Sequence, residues 1–330
     1  MTNCSRLVEL PPPPPNKTGW PWTTEDIPSN SIDSSAYPKV TIVTPSYNQA
    51  QFLEETIRSV LLQDYPNIEY IVIDGGSKDG SVDIIRKYEP WIDYWVSEVD
   101  KGQADAINKG FKKATGEFLG WLNSDDYLYP GAIAEMAKEL ENNPDVSFVY
   151  GDVDQGSENN KSRLYGKNST IDQMLKNYTV PIPQQGSMWR HTVISDIGGL
   201  DPRWNFVLDR EFFLRVATKY NLKYIPGVIA FFRHHLDSKS ISRAQAKHWI
   251  QELPIMYNDF FENNYDNNTK SKKLKHRALY MVYLHCASIS LKTGHSNKAL
   301  LFLVKAFKEY LMFLFFWIFP QKKLDFKLEG

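Results

Sequence analysis

Gly120-Trp121-Leu122-Asn123-Ser124-Asp125-Asp126-Tyr127 ends a short apolar run, Phe118 to Leu122, in two adjacent carboxylates with an amide beside them. The run reads as a buried strand. A strand that stops in hard oxygen ligands delivers them to the C-terminal edge of a sheet, where open α/β sheets bind ligands. Neighbouring carboxylates repel unless a cation or hydrogen-bond donors lie between them. A divalent metal holding a phosphate group resolves that repulsion, because Mg²⁺ takes one or two carboxylates plus substrate phosphates. The plainer alternative is a polar turn with Asp126 capping a helix that begins near Pro130.

The flanking sequence repeats the same grammar. Val40-Thr41-Ile42-Val43-Thr44 is a β-branched strand broken by Pro45-Ser46-Tyr47-Asn48. Asn48 and Gln51 read as an N-cap and its capping-box partner, and Phe52, Leu53, Ile57, Val60 and Leu61 then recur at helical spacing. Ile68 to Ile73 is a second strand ending in Asp74-Gly75-Gly76-Ser77, followed by a helix from Ser81 to Tyr88. Tyr94 to Glu98 is a third strand and Gln103 to Ala114 a third helix; beyond Leu122, Pro130 to Asn142 is helical and Val146 to Tyr150 a strand. This alternation over short connections predicts an α/β fold, a Rossmann-like, mostly parallel sheet with helices on both faces. Right-handed crossovers then gather Thr44 to Asn48, Asp74 to Ser77, Glu98 to Gly102 and Asn123 to Asp126 along one edge, a nucleotide crevice.

Composition and missing motifs narrow the chemistry. Acidic and basic residues nearly balance, 39 against 38, so a general nucleic-acid surface is not expected. Cys4 and Cys286 form no metal pattern and no disulfide framework, which fits a reducing compartment. Met1 to Leu10 lacks the apolar core of a signal peptide, and Tyr310 to Phe319 is too short to span a bilayer. The turn after the first strand is Thr-Pro-Ser-Tyr-Asn rather than G-x-G-x-x-G, and no Walker A motif occurs, which weakens the dehydrogenase, P-loop and nucleotidyltransferase readings. Asp74 can accept from a base N–H or a ribose hydroxyl, or serve as a turn aspartate.

Val-Thr-Ile-Val-Thr-Pro-Ser-Tyr-Asn, Ile-Val-Ile-Asp-Gly-Gly-Ser-Lys-Asp-Gly-Ser, Asn108-Lys109-Gly110 and Asn-Ser-Asp-Asp, in that order from about Lys39 to Ser240, resemble family 2 glycosyltransferases of the GT-A fold. The resemblance implies an inverting transferase using a nucleotide-diphospho-sugar, UDP-sugars being favoured in the family, and a divalent metal, Mn²⁺ or Mg²⁺. By that resemblance Thr44, Pro45, Tyr47 and Asn48 wall the nucleotide pocket and Asp74 contacts the base, with Gly102, Asn123 and Ser124 on the same edge. Asn123-Ser124-Asp125 stands at the family's D-x-D position, so Asp125, then Asp126, is the expected metal ligand. Two departures stand out: Asn123 replaces the first aspartate of that motif, and Ile107 stands where the family often has arginine.

In the second half, the loop Thr179 to Gly186 with Gln185, followed by Trp189, is a weaker candidate for the acceptor site. Asp209 opens an amphipathic helix as a natural N-cap; by resemblance it is the base that deprotonates the acceptor hydroxyl, with Leu208 in place of the usual preceding acid. Arg233-His234-His235-Leu236-Asp237-Ser238 resembles the family's R-x-H-x-x-S segment, implying His235 for metal or diphosphate and Arg233 for phosphate oxygens. Adjacent histidines on an extended strand face opposite ways, so His234 is expected exposed.

The expected organisation is a Pro-rich tail over 1–37, partly packed through Trp20, Trp22 and Tyr37, a catalytic domain over 38–242 and a helical C-terminal region over 243–330. In that region Gln245 to Tyr257, Lys272 to Leu291 and His295 to Phe316 read as helices, with Asp266-Asn267-Asn268 as a linker. The last helix carries an apolar face of Ala299, Leu300, Leu303, Ala306, Phe307 and Tyr310, flanked by Lys305, Lys308, Lys322, Lys323 and Lys327. That pattern suits an interfacial helix, or one buried against protein. The expected setting is cytoplasmic, at the inner membrane face, with a saccharide or lipid-linked saccharide acceptor and no nucleic acid. The rival is a degenerate sugar-nucleotide-binding protein without transfer activity, supported by Asn123 and Ile107.

Overall fold

A computed structural model describes residues 6–25, 36–157, 160–178, 180–236, 238–239, 245–265 and 268–318. Of the residues singled out above, Met1, Cys4, Thr179, Asp237, Ser240, Asp266, Asn267, Phe319, Lys322, Lys323 and Lys327 lie outside the described residues. The chain divides into two compact units, Met1–Asn168 with Pro181–Leu236, and Ser169–Val180 with Asp237–Gly330.

The first unit runs α1 (Arg6–Glu9), β1 (Val40–Ser46), α2 (Ala50–Leu61), β2 (Ile68–Asp74), α3 (Ser81–Tyr88), β3 (Tyr94–Ser97), α4 (Gln103–Lys113), β4 (Phe118–Trp121), β5 (Tyr127–Leu128), α5 (Ala132–Asn142), β6 (Val146–Ser157) and β7 (Asn160–Leu164). After α6 (Ile171–Asn177), which belongs to the second unit, come β8 (Ser187–Arg190), α7 (His191–Ile197), α8 (Leu208–Lys219) and β9 (Asn221–Arg233). The strands form one sheet in the order β3-β2-β1-β4-β8-β6-β9-β5, with β7 paired to β6.

β3, β2, β1 and β4 are mutually parallel, with Val40 opposite both Ile68 and Phe118. Their carboxyl ends therefore share one edge, as the alternating pattern implies. The fifth strand does not sit beside β4, however. β8 lies antiparallel between β4 and β6, and β9 then pairs parallel to β6. Two antiparallel steps restore the original direction, so β6 and β9 also end on the site edge.

Strand alternation splits the core between the two faces. Val40 and Ile42 point with Tyr70 and Val72 into a buried cluster with Leu53, Ile57 and Val60 of α2. Each such side chain contributes roughly 1.5–3 kcal/mol by leaving water. On the other face α4 lies so close to β1 that a Cβ on Gly110 would fall 2.3 Å from Val43 Cγ1, which is why the Asn-Lys-Gly motif ends in glycine.

Two local expectations are corrected. β1 continues through Pro45 to Ser46 in register with Ile73 and Asp74. Strand alternation turns the missing Pro45 N–H toward the β4 side, beyond the last paired residue, Trp121, so no ladder bond is lost. Asn48 does not cap α2. It has φ 51° and its Oδ1 accepts from Lys78 N–H, while Ala50 N–H donates to Asp79 and Gln49 N–H to Ser81. The helix is thus capped from the β2–α3 loop.

The N-terminal segment is fastened by Arg58 of α2, which is completely buried. Its guanidinium donates to the carbonyls of Pro11, Pro21 and Trp22 and to the Tyr88 hydroxyl at 2.8–3.0 Å. Trp20 Nε1 donates to Leu128 O at 2.8 Å, and Trp22 is buried.

The second unit holds α6, α9 (Ala246–Asn263), α10 (Thr269–Lys292) and α11 (Ser296–Ile318). α10 and α11 meet along a seam where Tyr283 stacks on Phe302, Tyr280 meets Tyr310, and His276 stacks on Phe316 while its Nδ1 lies 2.6 Å from Glu309. The expected apolar face of α11 is divided: Ala299 and Ala306 are buried, whereas Leu300, Leu303 and Phe307 are exposed, with Val304 and Leu311. Among the described residues no helix is long and apolar enough to cross a membrane.

Replacing Arg58 by methionine strands three backbone carbonyls that now accept from a charged donor. Urea denaturation is expected to show a loss of about 3 kcal/mol, and limited proteolysis to release the N-terminal segment from the variant but not from the parent chain.

Candidate active site

The crevice floor is built by strand ends bonded in series: Gly75 N–H donates to Ser46 O at 2.8 Å, and Glu98 N–H to Asp74 O at 3.0 Å. Tyr47 stands on the rim, 62% exposed, with Asn48 and Gly102 also open to solvent. Thr44 is buried, its hydroxyl receiving Tyr70 Oη at 3.1 Å, so its side chain serves the core rather than the pocket. Asp74 is likewise corrected. Its carboxylate accepts from Gly76 N–H, Ser77 N–H, Ser77 Oγ and Ser97 Oγ at 2.5–3.0 Å and is fully buried, so it organises its own loop rather than standing open to a base.

The two adjacent carboxylates at the end of β4 have different fates. Asp126 is buried and accepts from Arg233 N–H at 3.0 Å, Gln185 Nε2 at 3.0 Å and Asn123 Nδ2 at 3.3 Å. Burial, and then the neighbouring charge of Asp125, push its carboxyl well above the ordinary range. It is a structural tie, and the expectation of Asp126 as a metal ligand is withdrawn on that geometry. Gln185 is spent on the same tie, not on an acceptor. Asn123 extends it, accepting from Gln103 Nε2 at 2.8 Å and donating to Gln184 Oε1 at 3.0 Å. Ser124 is buried and its carbonyl receives Thr56 Oγ1.

Asp125 faces the other way, half-buried, with Oδ2 3.0 Å from His235 Nε2. One carboxylate and one imidazole meet here from segments 110 residues apart. That pair fits Mn²⁺ or Mg²⁺ when diphosphate oxygens complete the shell. No group of three or more His, Cys, Asp or Glu is placed to hold a metal among the described residues. Arg233 does not reach outward to phosphate. It is 7% exposed, donates Nε to Asp125 O at 3.0 Å and pairs with Glu55 at 2.8 Å, so it aims Asp125 from behind. His234 is half-buried edge-on to Phe232, and this burial lowers its pKa, against the expected exposure.

Asp209 lies in the first turn of α8; Val207, not Asp209, is the N-cap residue. Its carboxylate accepts from Arg210 N–H at 2.7 Å, and desolvation raises its pKa despite that bond and the nearby Arg210 charge. Phe213, four residues on and so on the same helix face, stacks on Trp121 at the end of β4 with ring centroids 6.0 Å apart. Trp189 is corrected: fully buried, it stacks on Phe148 at 5.4 Å and meets Trp121 at 5.4 Å, inside the aromatic core and away from any sugar. Sequence reading missed two clamps behind α8. Asn108 bonds both backbone groups of Leu200, at 2.7 and 2.9 Å. Arg215 joins Glu211 in two bonds and holds the carbonyls of Ile197 and Gly199.

Residues 41–198 match the family model for Glycosyl transferase family 2. An uncharacterized glycosyltransferase of Mycobacterium tuberculosis is 34% identical over 188 residues, 54% of this chain and 69% of the relative. The chain belongs to glycosyltransferase family 2. A second relative in the family, YwdF of Bacillus subtilis, is 28% identical over 66% of this chain and 86% of its own length. Among solved structures, mannosyltransferase PcManGT from Pyrobaculum calidifontis, in complex with GDP-Man and Mn²⁺, superposes with a TM-score of 0.57 at 18% identity, covering 89% of this chain and 84% of its own. S. aureus TarS 1–349 gives 0.53 at 16% identity, covering 86% and 92%. The fold of this family 2 chain is therefore GT-A.

Asp126→Ala leaves three donors facing an empty carboxylate site and is expected to cost about 3 kcal/mol or more of stability by urea denaturation. Asp125→Ala, on the crevice side, is expected to cost about 1 kcal/mol or less. Equal losses would contradict the division of labour between the two.

Proposed function

We propose that this glycosyltransferase moves a sugar from a nucleotide-diphospho-sugar to an acceptor hydroxyl with inversion, in the synthesis of a polysaccharide or glycolipid. The observation that carries the reading is the 3.0 Å approach of Asp125 Oδ2 and His235 Nε2 at the carboxyl edge of the sheet. Mn²⁺ or Mg²⁺ held by these two residues would supply positive charge to the departing diphosphate. The nucleotide lies along the ends of β1, β2 and β3, against Tyr47, Asn48 and Gly102. Asp209 takes the proton from the acceptor hydroxyl as that oxygen attacks the anomeric carbon from the face opposite the diphosphate. The diphosphate leaves unprotonated, so one carboxylate suffices. Desolvation suits Asp209 to this task by making its carboxylate a stronger base than one in water.

Asp209→Asn is expected to lower transfer at least 10³-fold, on the order of the upper range for a general base, while leaving donor affinity within about twofold of the parent, a change worth less than 0.5 kcal/mol. Because the raised carboxyl must be ionised to act, transfer by the parent chain falls as pH drops, with a midpoint above the ordinary aspartate value of about 3.9. Wild-type rates in the variant would remove the base assignment. In a thermal-shift titration with donor, Asp125→Ala is expected to lose the part of the stabilisation that depends on Mn²⁺.

We also propose that α11 lies on an anionic membrane surface through Leu300, Val304, Phe307 and Leu311, which are exposed, with Lys305 and Lys308 beside them. Flotation with phosphatidylglycerol vesicles is expected to carry the chain, and Phe307→Asp with Leu311→Asp to abolish it; no flotation of the parent chain would reject the contact.

A further inference from the structure

A cavity of about 380 Å³ opens in the helical second unit where α9, α10 and α11 meet. Lys247 and Ile250 line it from α9, Lys292 from the end of α10, and His295 and Lys298 from the start of α11. Its walls hold four basic side chains and no acidic one. Among the described residues, none of the three lysines is paired with a carboxylate or donates to a carbonyl. Local rules argue against two of these cations. The first turn of a helix carries partial positive charge and favours acids. Yet Lys247 stands in the first turn of α9 and Lys298 in that of α11, and neither turn has an acidic residue. The acceptors of the α10–α11 turn are meanwhile spent within it. The carbonyls of Ile289, Ser290 and Leu291 receive the N–H groups of Thr293, His295 and Gly294 at 2.8–3.1 Å, with Gly294 at φ 79°, where glycine is favoured. His295 Nδ1 lies 2.9 Å from Thr293 O; a carbonyl only accepts, so Nδ1 carries the proton of that bond and Nε2 remains for another partner. Positive charge is thus gathered around the cavity without a counter-charge.

We propose that this cavity binds a phosphate group. It lies wholly in the second unit, outside residues 41–198 that match the family model, and does not depend on the sugar-transfer reading. A phosphate ester brings a charge of about −1.5 to −2 and three strong acceptor oxygens, enough to engage several ammonium groups at once. A carboxylate brings a single charge in a planar pair of oxygens, which arginine's fork fits best, whereas the cavity is furnished with lysines, the compact point charges of phosphate sites. Ile250 supplies an apolar wall for the carbon skeleton that carries the phosphate. Leu300 and Leu301, exposed just beyond Lys298, set apolar surface next to the cavity and suit the phosphate of a lipid headgroup. A soluble phosphate ester presents the same chemistry to the lysines.

The test is calorimetric titration of the full chain with inorganic pyrophosphate in a metal chelator, which keeps divalent cations out of the strand-end crevice. The parent is expected to bind, and Lys247→Gln with Lys298→Gln to weaken binding at least about tenfold, the worth of one charge-assisted hydrogen bond or more. Both lysines oppose the dipoles of their helices, so the double variant is expected to melt no lower than the parent. A control of equal charge, Lys112→Gln with Lys138→Gln, alters two exposed lysines that do not line the cavity and should leave binding unchanged. Flotation with phosphatidylcholine vesicles carrying phosphatidic acid or phosphatidylglycerol, matched in surface charge, distinguishes the sources. A preference for phosphatidic acid that the double variant loses places the phosphate on a lipid. Pyrophosphate binding without that preference places it on a soluble compound, and either result supports the site. A parent chain that neither binds pyrophosphate nor prefers phosphatidic acid overturns the proposal, as does an equal loss in the control pair.

Discussion

The buried carboxylate of Asp126 is the constraint on which the site depends. Its two oxygens receive donors from the exit of β4, from the loop before β8 and from the end of β9. Nothing else described joins these three segments at one point. The strand end that carries Asp125 is fixed against the strand end that leads to His235, and Arg233 reinforces the join by binding the Asp125 carbonyl. The cost is the burial of a carboxyl group, which disfavours its charged form and pushes its pKa up. In the turn closed by Asp126 N–H on Asn123 O, Asp126 is buried and Asp125 is half-buried beside His235.

The same geometry explains what could be read from the sequence. β1 to β4 and their helices announce themselves because each is a local periodic pattern whose partners follow in order. β8 and β9 do not, since their places are decided by antiparallel insertion and by pairing with β6, across long stretches of chain. Asp125 and Asp126 look alike as letters. Only the donors that converge from residues 185 and 233 tell them apart. Asp74 misleads for the same reason, because its partner Ser97 lies on another strand. The cap of α2 by Asp79 and Ser81 is equally non-local.

Two departures that look like decay in the sequence are accommodated in the structure. An aspartate at 123 would bring a second charge against Asp126 and an acceptor against Gln184 Oε1, where Asn123 now donates. Ile107 is fully buried in α4, and an arginine there would carry its charge into the core. Both residues fit their surroundings.

The Arg58 clamp bears on where this enzyme can be cut. The ordered pattern of strands begins at residue 40, and a fragment started just before it would look complete on paper. Leu10 and Trp22 are buried, and Leu7 and Trp20 pack against the α2 side of the core, so such a fragment would uncover an apolar trough lined by that helix. At the bottom of the trough would sit a guanidinium shaped to grip a main chain. A surface of that kind invites association between copies, and a shortened enzyme would be expected to self-associate while every residue of its catalytic crevice remained in place.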